Sequence, residues 1–252
     1  MIIAPYRDDL KQILILNPKG GCGKTTLATN LASRFALRGS RPLLIDNDPR
    51  GYTSRWLEKR PSTSCRIDGI ASRDFAMHDR RDWPTRIPNE TDTVIIDTPA
   101  ALGRQEISEL TYSADCILVP ILPSAFDISY ATNFIAELLL LTQFERPIAV
   151  VANRTQRNTK SLAMLMRILA NFETPTIAVL RNSQNYVYAA DQGLGIYELP
   201  RYRAKKDIAQ MDQIVSWLDQ LLARTWQPGF DSPVYHHPNS FSAPAAGLAF
   251  PD

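Results

Sequence analysis

At 252 residues the chain is long enough for one large domain with a substantial core, and a second domain is allowed but not required. Its 44% hydrophobic and 21% charged residues are ordinary for a soluble globular protein. No apolar run approaches the roughly 20 residues of a bilayer span and no basic-then-apolar leader opens the chain, so no membrane partner is expected and a cytoplasmic address is the default. Three scattered cysteines without a CxxC pair argue against a disulfide framework or a zinc site, and a net charge of +2 permits contact with a polyanion without requiring it.

Short apolar runs predict strands at Ile13 to Leu16, Leu43 to Ile45, Val94 to Ile96, Ile117 to Val119, Ile148 to Val151 and Ile177 to Leu180. Several are apolar at nearly every position, as strands buried on both faces should be. Helical patterns lie between them, at Thr25 to Leu37, Ile128 to Leu141 and Leu162 to Leu169, with a last one around Trp217 to Ala223. This rhythm predicts an α/β fold: a doubly wound, mostly parallel sheet with helices on both faces and its functional edge at the C-terminal strand ends. The stretch from Arg60 to Glu90 is polar and without a clean period, so it is expected to be a peripheral excursion, with Phe75 and Trp83 among its charges as one candidate partner surface. From Gln227 onward Pro, Ser, Ala and Gly dominate, which divides the chain into a domain over 1–226 and a disordered tail over 227–252.

The first predicted strand runs through Asn17 and Pro18 into the segment KGGCGKTT, and a helical pattern follows at once. Glycines at Gly20, Gly21 and Gly23 let successive backbone amides, including that of Cys22, point into one concavity, and the helix N-terminus behind them adds its dipole. A di- or triphosphate fits there. Lys24 would meet the β and γ oxygens, Thr25 would place its hydroxyl on Mg²⁺, and Thr26 would donate to the α-phosphate, with ATP and Mg²⁺ as cofactors. The competing readings are a bare strand-to-helix turn and a dinucleotide site. In the latter, Thr26 replaces the third glycine and the Lys24-Thr25 pair has no task.

Two further strands end in carboxylates. LLIDNDPRG carries Asp46 and Asp48, expected on one side of an extended chain because residues two apart share a face. TVIIDTPA ends in Asp97, an apolar strand with a terminal aspartate placed after the glycine loop.

Pro18 stands where the usual phosphate loop has its first glycine, and a second lysine, Lys19, precedes the glycines. In these features the chain resembles the ParA/MinD family of P-loop ATPases, over roughly residues 11 to 224, and most of all its ParA-type partition and positioning members, which include carboxysome-positioning McdA-like proteins. The resemblance implies ATP hydrolysis in a homodimer that sandwiches nucleotide, with Lys19 reaching the partner copy's phosphates. It implies that Asp48 orients the attacking water, Asp46 supports the magnesium site, and Asp97 is the Walker B carboxylate, with Thr98 and Pro99 opening a switch loop. Asn153, after the strand ending at Val151, would read the adenine edge, with Leu199 and Pro200 near its other face. Relatives that act at membranes carry a basic amphipathic C-terminal helix, iron–sulfur carriers carry paired cysteines, and the tyrosine kinases carry a tyrosine cluster where only Tyr235 stands here. What remains is a positioning ATPase whose dimer binds nucleoid DNA nonspecifically and is released when a cargo-bound adaptor protein stimulates hydrolysis. Candidate DNA-binding cations are Arg154, Arg157, Lys160, Arg181, Arg201, Arg203, Lys205 and Lys206, which could equally be solvated faces. An ATP-dependent enzyme that phosphorylates or ligates a small substrate stays open as the alternative.

Overall fold

The computed structural model describes residues 2, 10–74, 87–172 and 174–223. The expected tail from Gln227, Tyr235, Phe75 and Trp83 lie outside them. In chain order the elements are β1 (Lys11–Ile15), α1 (Lys24–Leu37), β2 (Pro42–Asp46), α2 (Tyr52–Glu58), β3 (Asp68–Ala71), β4 (Thr93–Asp97), α3 (Arg104–Ser113), β5 (Cys116–Ile121), α4 (Ala125–Leu141), β6 (Ile148–Thr155), α5 (Lys160–Leu169), β7 (Thr176–Arg181), α6 (Gln184–Asp191) and α7 (Arg201–Leu222). The strands form one seven-stranded sheet in the order β3-β2-β4-β1-β5-β6-β7, and every adjacent pair is parallel.

The solid apolar runs conceal an alternation that builds two cores. Leu14, Leu43, Ile45, Val94, Ile96, Ile117, Val119 and Val150 face one side, where α3, α4 and α5 supply Leu110, Ile135 and Leu165. Their neighbours Ile13, Ile15, Leu44, Ile95, Leu118, Ala149 and Val151 face the other, where α1 and α7 supply Leu27, Leu31, Met211, Ile214 and Leu218. The strands inside the sheet, β2, β4, β1, β5 and β6, therefore bury both faces, which is why their sequences show little polar alternation. β1 sits between β4 and β5, so the chain winds outward in both directions from it. The crevice beyond its carboxyl end is the switch point of the sheet.

Every predicted strand forms, and most extend by one or two residues. β6 runs on to Thr155 and carries Asn153 inside the strand, through register shifts against β7. The stretch from Arg60 to Glu90 hides the edge strand β3, whose four residues, DGIA, are too short and too polar to show a period. At Gly69 the strand packs close beneath α2: a Cβ there would sit 2.2 Å from Leu57 Cδ1, so that side chain would have to shift. α7 begins at Arg201, well before the pattern around Trp217. Its first turns, RYRAKK, are mostly exposed, and the buried positions Ala204, Asp207 and Met211 include a charged residue that a hydrophobic pattern cannot register.

Candidate functional site

The loop between β1 and α1 is held from several sides. The Asn17 side chain donates to the Pro120 carbonyl at 2.7 Å, which fixes the loop's start to the end of β5, and accepts from the Lys19 amide at 2.9 Å. Gly21 and Gly23 adopt φ of 78° and 102°, conformations open to glycine at little cost. A Cβ on Gly23 would also lie 2.1 Å from Asn153 Nδ2. α1 starts at Lys24 with no side-chain cap, so its first amides face the loop. Lys24 is buried and its ammonium donates to the carbonyls of Asn17 at 2.7 Å and Lys19 at 3.1 Å. Cys22 packs inside the loop, where burial pushes its thiol pKa up and keeps it protonated.

The two lysines have different fates. Lys19 is half-buried at the loop's edge and its ammonium pairs with Asp127 at 2.6 Å. Asp127 is buried in the first turn of α4, in contact with the Ser124 hydroxyl, and the sequence reading did not single it out. Lys24 points into the loop, while Lys19 is held at its rim by one carboxylate.

At the end of β4, Asp97 is fully buried. Its Oδ2 accepts from the Thr25 hydroxyl at 2.7 Å and the Thr53 hydroxyl at 2.6 Å, while its Oδ1 has no hydrogen-bond partner among the described residues. Burial pushes its pKa up to about 6 against the lowering effect of the two hydroxyls. A buried carboxylate oxygen without a partner, beside a threonine hydroxyl at a phosphate loop, suits a hard cation. Magnesium takes one or two carboxylates plus phosphate and water oxygens, and these residues fit it. Thr53, on α2, was not anticipated. The only sequence signal for it is a hydroxyl two residues after Gly51 in the DNDPRG run.

The end of β2 is built differently. Asp46 pairs in register with Asp97, and the strand stops there, so the expected alternation does not carry through to Asp48. The chain turns instead. The Asp48 amide donates to Asp46 Oδ1 at 3.2 Å, and Ser54 donates to Asp46 Oδ2 from its amide at 2.9 Å and its hydroxyl at 2.6 Å. Asp46 thus braces the turn that presents Asp48, where an extended chain with both carboxylates on one side was expected. Burial pushes the Asp48 carboxyl up, but bonds from the Arg50 side chain and amide, with the charges of Arg50 and Lys24, hold it below the usual range.

Asn153 braces the loop from β6: its Nδ2 donates to the Cys22 carbonyl at 2.8 Å and its Oδ1 accepts from the Arg154 amide at 2.9 Å. Arg154 itself has a left-handed φ of 50°. One donor and one acceptor position of the Asn153 amide remain beyond these contacts.

The candidate DNA-binding cations divide. Arg154, Arg157, Lys160, Arg201, Lys205 and Lys206 are exposed. Arg181 is committed to the buried Asp207, with Nε at 2.5 Å from Oδ1 and Nη2 at 2.9 Å from Oδ2, and Asn185 and Ser183 donate to the same carboxylate. It therefore ties β7 to α7 rather than offering a free charge. Arg203 stacks on the Tyr188 ring at 3.6 Å and donates to Asn185, which fixes its head at the surface.

A parallel sheet with a glycine loop at its switch point, a lysine in that loop and an orphaned carboxylate on the adjacent strand define a P-loop nucleotide-binding protein. The family described as the CobQ/CobB/MinD/ParA nucleotide binding domain matches residues 13–196, and the chain belongs to it. It is 26% identical over 211 residues to maintenance of carboxysome distribution protein A of Halothiobacillus neapolitanus, spanning 81% of this chain and 94% of that one. It is 30% identical over 147 residues to the chromosome partitioning protein ParA of Myxococcus xanthus, spanning 43% of this chain and 51% of that one. Among solved structures, apo McdA of Cyanothece superposes with a TM-score of 0.63 at 17% identity, covering 82% of this chain and 99% of that chain, which shows the shared fold. A plasmid partition protein of Borrelia burgdorferi bound to AMPPNP gives 0.64 at 16% identity, covering 82% and 99%. Among the described residues no helix is long and apolar enough to cross a membrane.

Proposed function

We propose that the protein is an ATPase that dimerises around ATP, binds nucleoid DNA without reading its sequence, and positions an intracellular cargo until an adaptor on that cargo stimulates hydrolysis. The site lies in the 1–226 domain, with 227–252 as a tail outside the catalytic unit, and the protein works in the cytoplasm on the nucleoid.

ATP supplies the phosphoryl group whose transfer to water resets the switch. The loop amides from Gly20 to Thr26 and the Lys24 ammonium bind the phosphates. Thr25 and Asp97 hold Mg²⁺, with Asp46 behind them positioning the turn. Asp48 orients the attacking water, and Asn153 uses its remaining donor and acceptor on the adenine edge. Lys19 leaves Asp127 to give its charge to the nucleotide of a second copy. This reading rests on Lys19. A lysine at the rim of the loop, beyond the one already inside it, supports a role outside its own subunit. Arg154, Arg157, Lys160, Arg201, Lys205 and Lys206, with Arg203 fixed on Tyr188, supply the basic surface for DNA.

A protein assembly such as the carboxysome is the favoured cargo over a plasmid or chromosome. The carboxysome distribution proteins match over 94% of their length, whereas the Myxococcus xanthus partitioning protein matches over about half of its own.

Light scattering of the Asp48→Ala protein with ATP and Mg²⁺ tests the switch. A dimer with ATP, a monomer with ADP, and a monomer with ATP when Lys19→Ala is added are the expected results. A Lys19→Ala protein that dimerises as well as its parent overturns the trans role, and turnover that requires an added small acceptor points to the ligase or kinase reading.

A further inference from the structure

The segment after β2 is unusual in how completely one side chain occupies the carboxylate expected to act on water. Asp48 Oδ1 accepts from the Arg50 amide at 2.9 Å and from Arg50 Nε at 3.1 Å. Its Oδ2 accepts from Nε at 3.2 Å and from Nη2 at 2.7 Å. An ionised carboxylate has about four acceptor positions, and three N–H groups of Arg50, with Nε–H shared between the two oxygens, engage both oxygens of Asp48. The guanidinium is itself held from behind. It lies 5.2 Å from the Tyr52 ring, Arg55 stacks on the same ring at 5.4 Å, and Arg55 Nη2 donates to the Arg50 carbonyl at 2.6 Å. Among the described residues the contacts of the Arg50 side chain and carbonyl run to Asp48, Tyr52 and Arg55, and none of these lies in the phosphate loop.

From this geometry we propose that Arg50 is a restraining residue for hydrolysis: it caps Asp48 in the resting chain and must swing away before Asp48 can accept a hydrogen bond from the attacking water. This rests on the reading of Asp48 as the water-orienting group. The exit is open, because the Arg50 side chain is 52% exposed while Asp48 is 5% exposed. A swing of Arg50 toward solvent moves one flexible side chain and leaves the turn, braced by Asp46 and Ser54, in place. The restraint is a fork-shaped, charge-assisted contact that lysine or glutamine cannot reproduce. It is also partly exposed, which keeps it weak enough to be released. Arg50 is a positioning residue here, acting through Asp48 without touching nucleotide.

Two measurements on the full chain test this. In the nucleotide-free protein, the Arg50 Nε–H proton should give an NMR signal protected from exchange with water, and Asp48→Ala should abolish that protection. In steady-state hydrolysis without DNA or any partner protein, Arg50→Gln should raise kcat by about three- to tenfold, the range for loss of a partly exposed charged hydrogen bond. KM for ATP should be unchanged, and Arg50→Lys should fall between Gln and the parent. A merely structural Arg50 would instead lower stability without raising kcat. If Asp48→Ala abolishes hydrolysis while Arg50→Gln leaves kcat equal or lower, the restraint is wrong and the reading of Asp48 stands. If Asp48→Ala hydrolyses at the parental rate, that reading fails and the restraint falls with it. An unprotected Arg50 Nε–H overturns the restraint directly.

Discussion

The ends of β2 and β4 lie side by side in the sheet, with Asp46 and Asp97 in register, yet their carboxylates are in opposite conditions. At β2 the chain satisfies its own acids: Ser54 and the Asp48 amide fill Asp46, and Arg50 fills Asp48. At β4 one oxygen of Asp97 is buried with no partner among the described residues, and the cost of burying the carboxylate appears as a pKa raised to about 6. One strand end is a finished scaffold that presents a restrained group. The other is incomplete without a ligand. Buried polar groups are normally satisfied, so an exception beside a phosphate loop points to chemistry that fixed contacts alone do not.

Removing the incomplete carboxylate should have the largest effect. Asp97→Asn is expected to cost at least about a hundredfold in ATP hydrolysis, because charge stabilisation through a metal is worth several kcal/mol. The same change should leave the nucleotide-free protein more resistant to heat at pH 8 than its parent. The sign follows from the raised pKa. In the folded state ionisation of Asp97 is disfavoured, so its cost to stability grows as pH rises from the ordinary carboxyl range and is complete above about 6. A melting-temperature series from pH 5 to 8 should therefore fall less for Asp97→Asn than for the parent, and identical slopes would contradict the reading.

A satisfied carboxylate should behave in the opposite way. Asp207 is fully buried; burial pushes its pKa up, but the bonds from Arg181, Asn185 and Ser183 carry it below the usual value. Its contribution is present above the unfolded-state pKa and is lost as pH falls through the lower folded value. Asp207→Asn should destabilise the fold by about 2 kcal/mol at pH 7, since it leaves charged and polar donors poorly matched. The deficit in urea unfolding should shrink toward pH 3. Hydrolysis by the folded fraction should be unaffected, because Asp207 lies at α7, away from the loop.

Thr53 offers the finest distinction. Its hydroxyl on Asp97 is a single hydrogen bond, so Thr53→Val should weaken Mg²⁺-dependent nucleotide binding by about fivefold, and Thr53→Ser should restore it. Equal affinity of the Val and Ser variants in calorimetry would reduce Thr53 to packing.

These contrasts also mark what the sequence could disclose. The strands, the glycine loop and Asp97 were legible because they depend on local order: an apolar run, then glycines or an acid, then a helical pattern. The loop-bracing contact of Asn153, the partner of Lys19 and the hydroxyl of Thr53 depend on residues brought together across the sheet. Asp127 and Lys19 are more than a hundred positions apart in the chain, and a buried aspartate on an amphipathic helix looks like any polar residue. Arg181 and Lys205 are equally basic in the sequence and differ only in whether the fold places a carboxylate beneath them. Asp48 is singled out by its motif, but the turn after Asp46 and the grip of Arg50 are not, since an extended strand is the simplest local expectation. β3 escaped because a short polar edge strand has too few buried positions to show a period.

The most direct test of the central claim is the binding of the Asp48→Ala protein to nonspecific duplex DNA, followed by fluorescence anisotropy with ATP or ADP across a salt series. An ATP-gated positioning switch predicts tight binding with ATP alone, with affinity falling steeply and log-linearly as salt rises. Equal binding in both nucleotide states, or none in either, would contradict it.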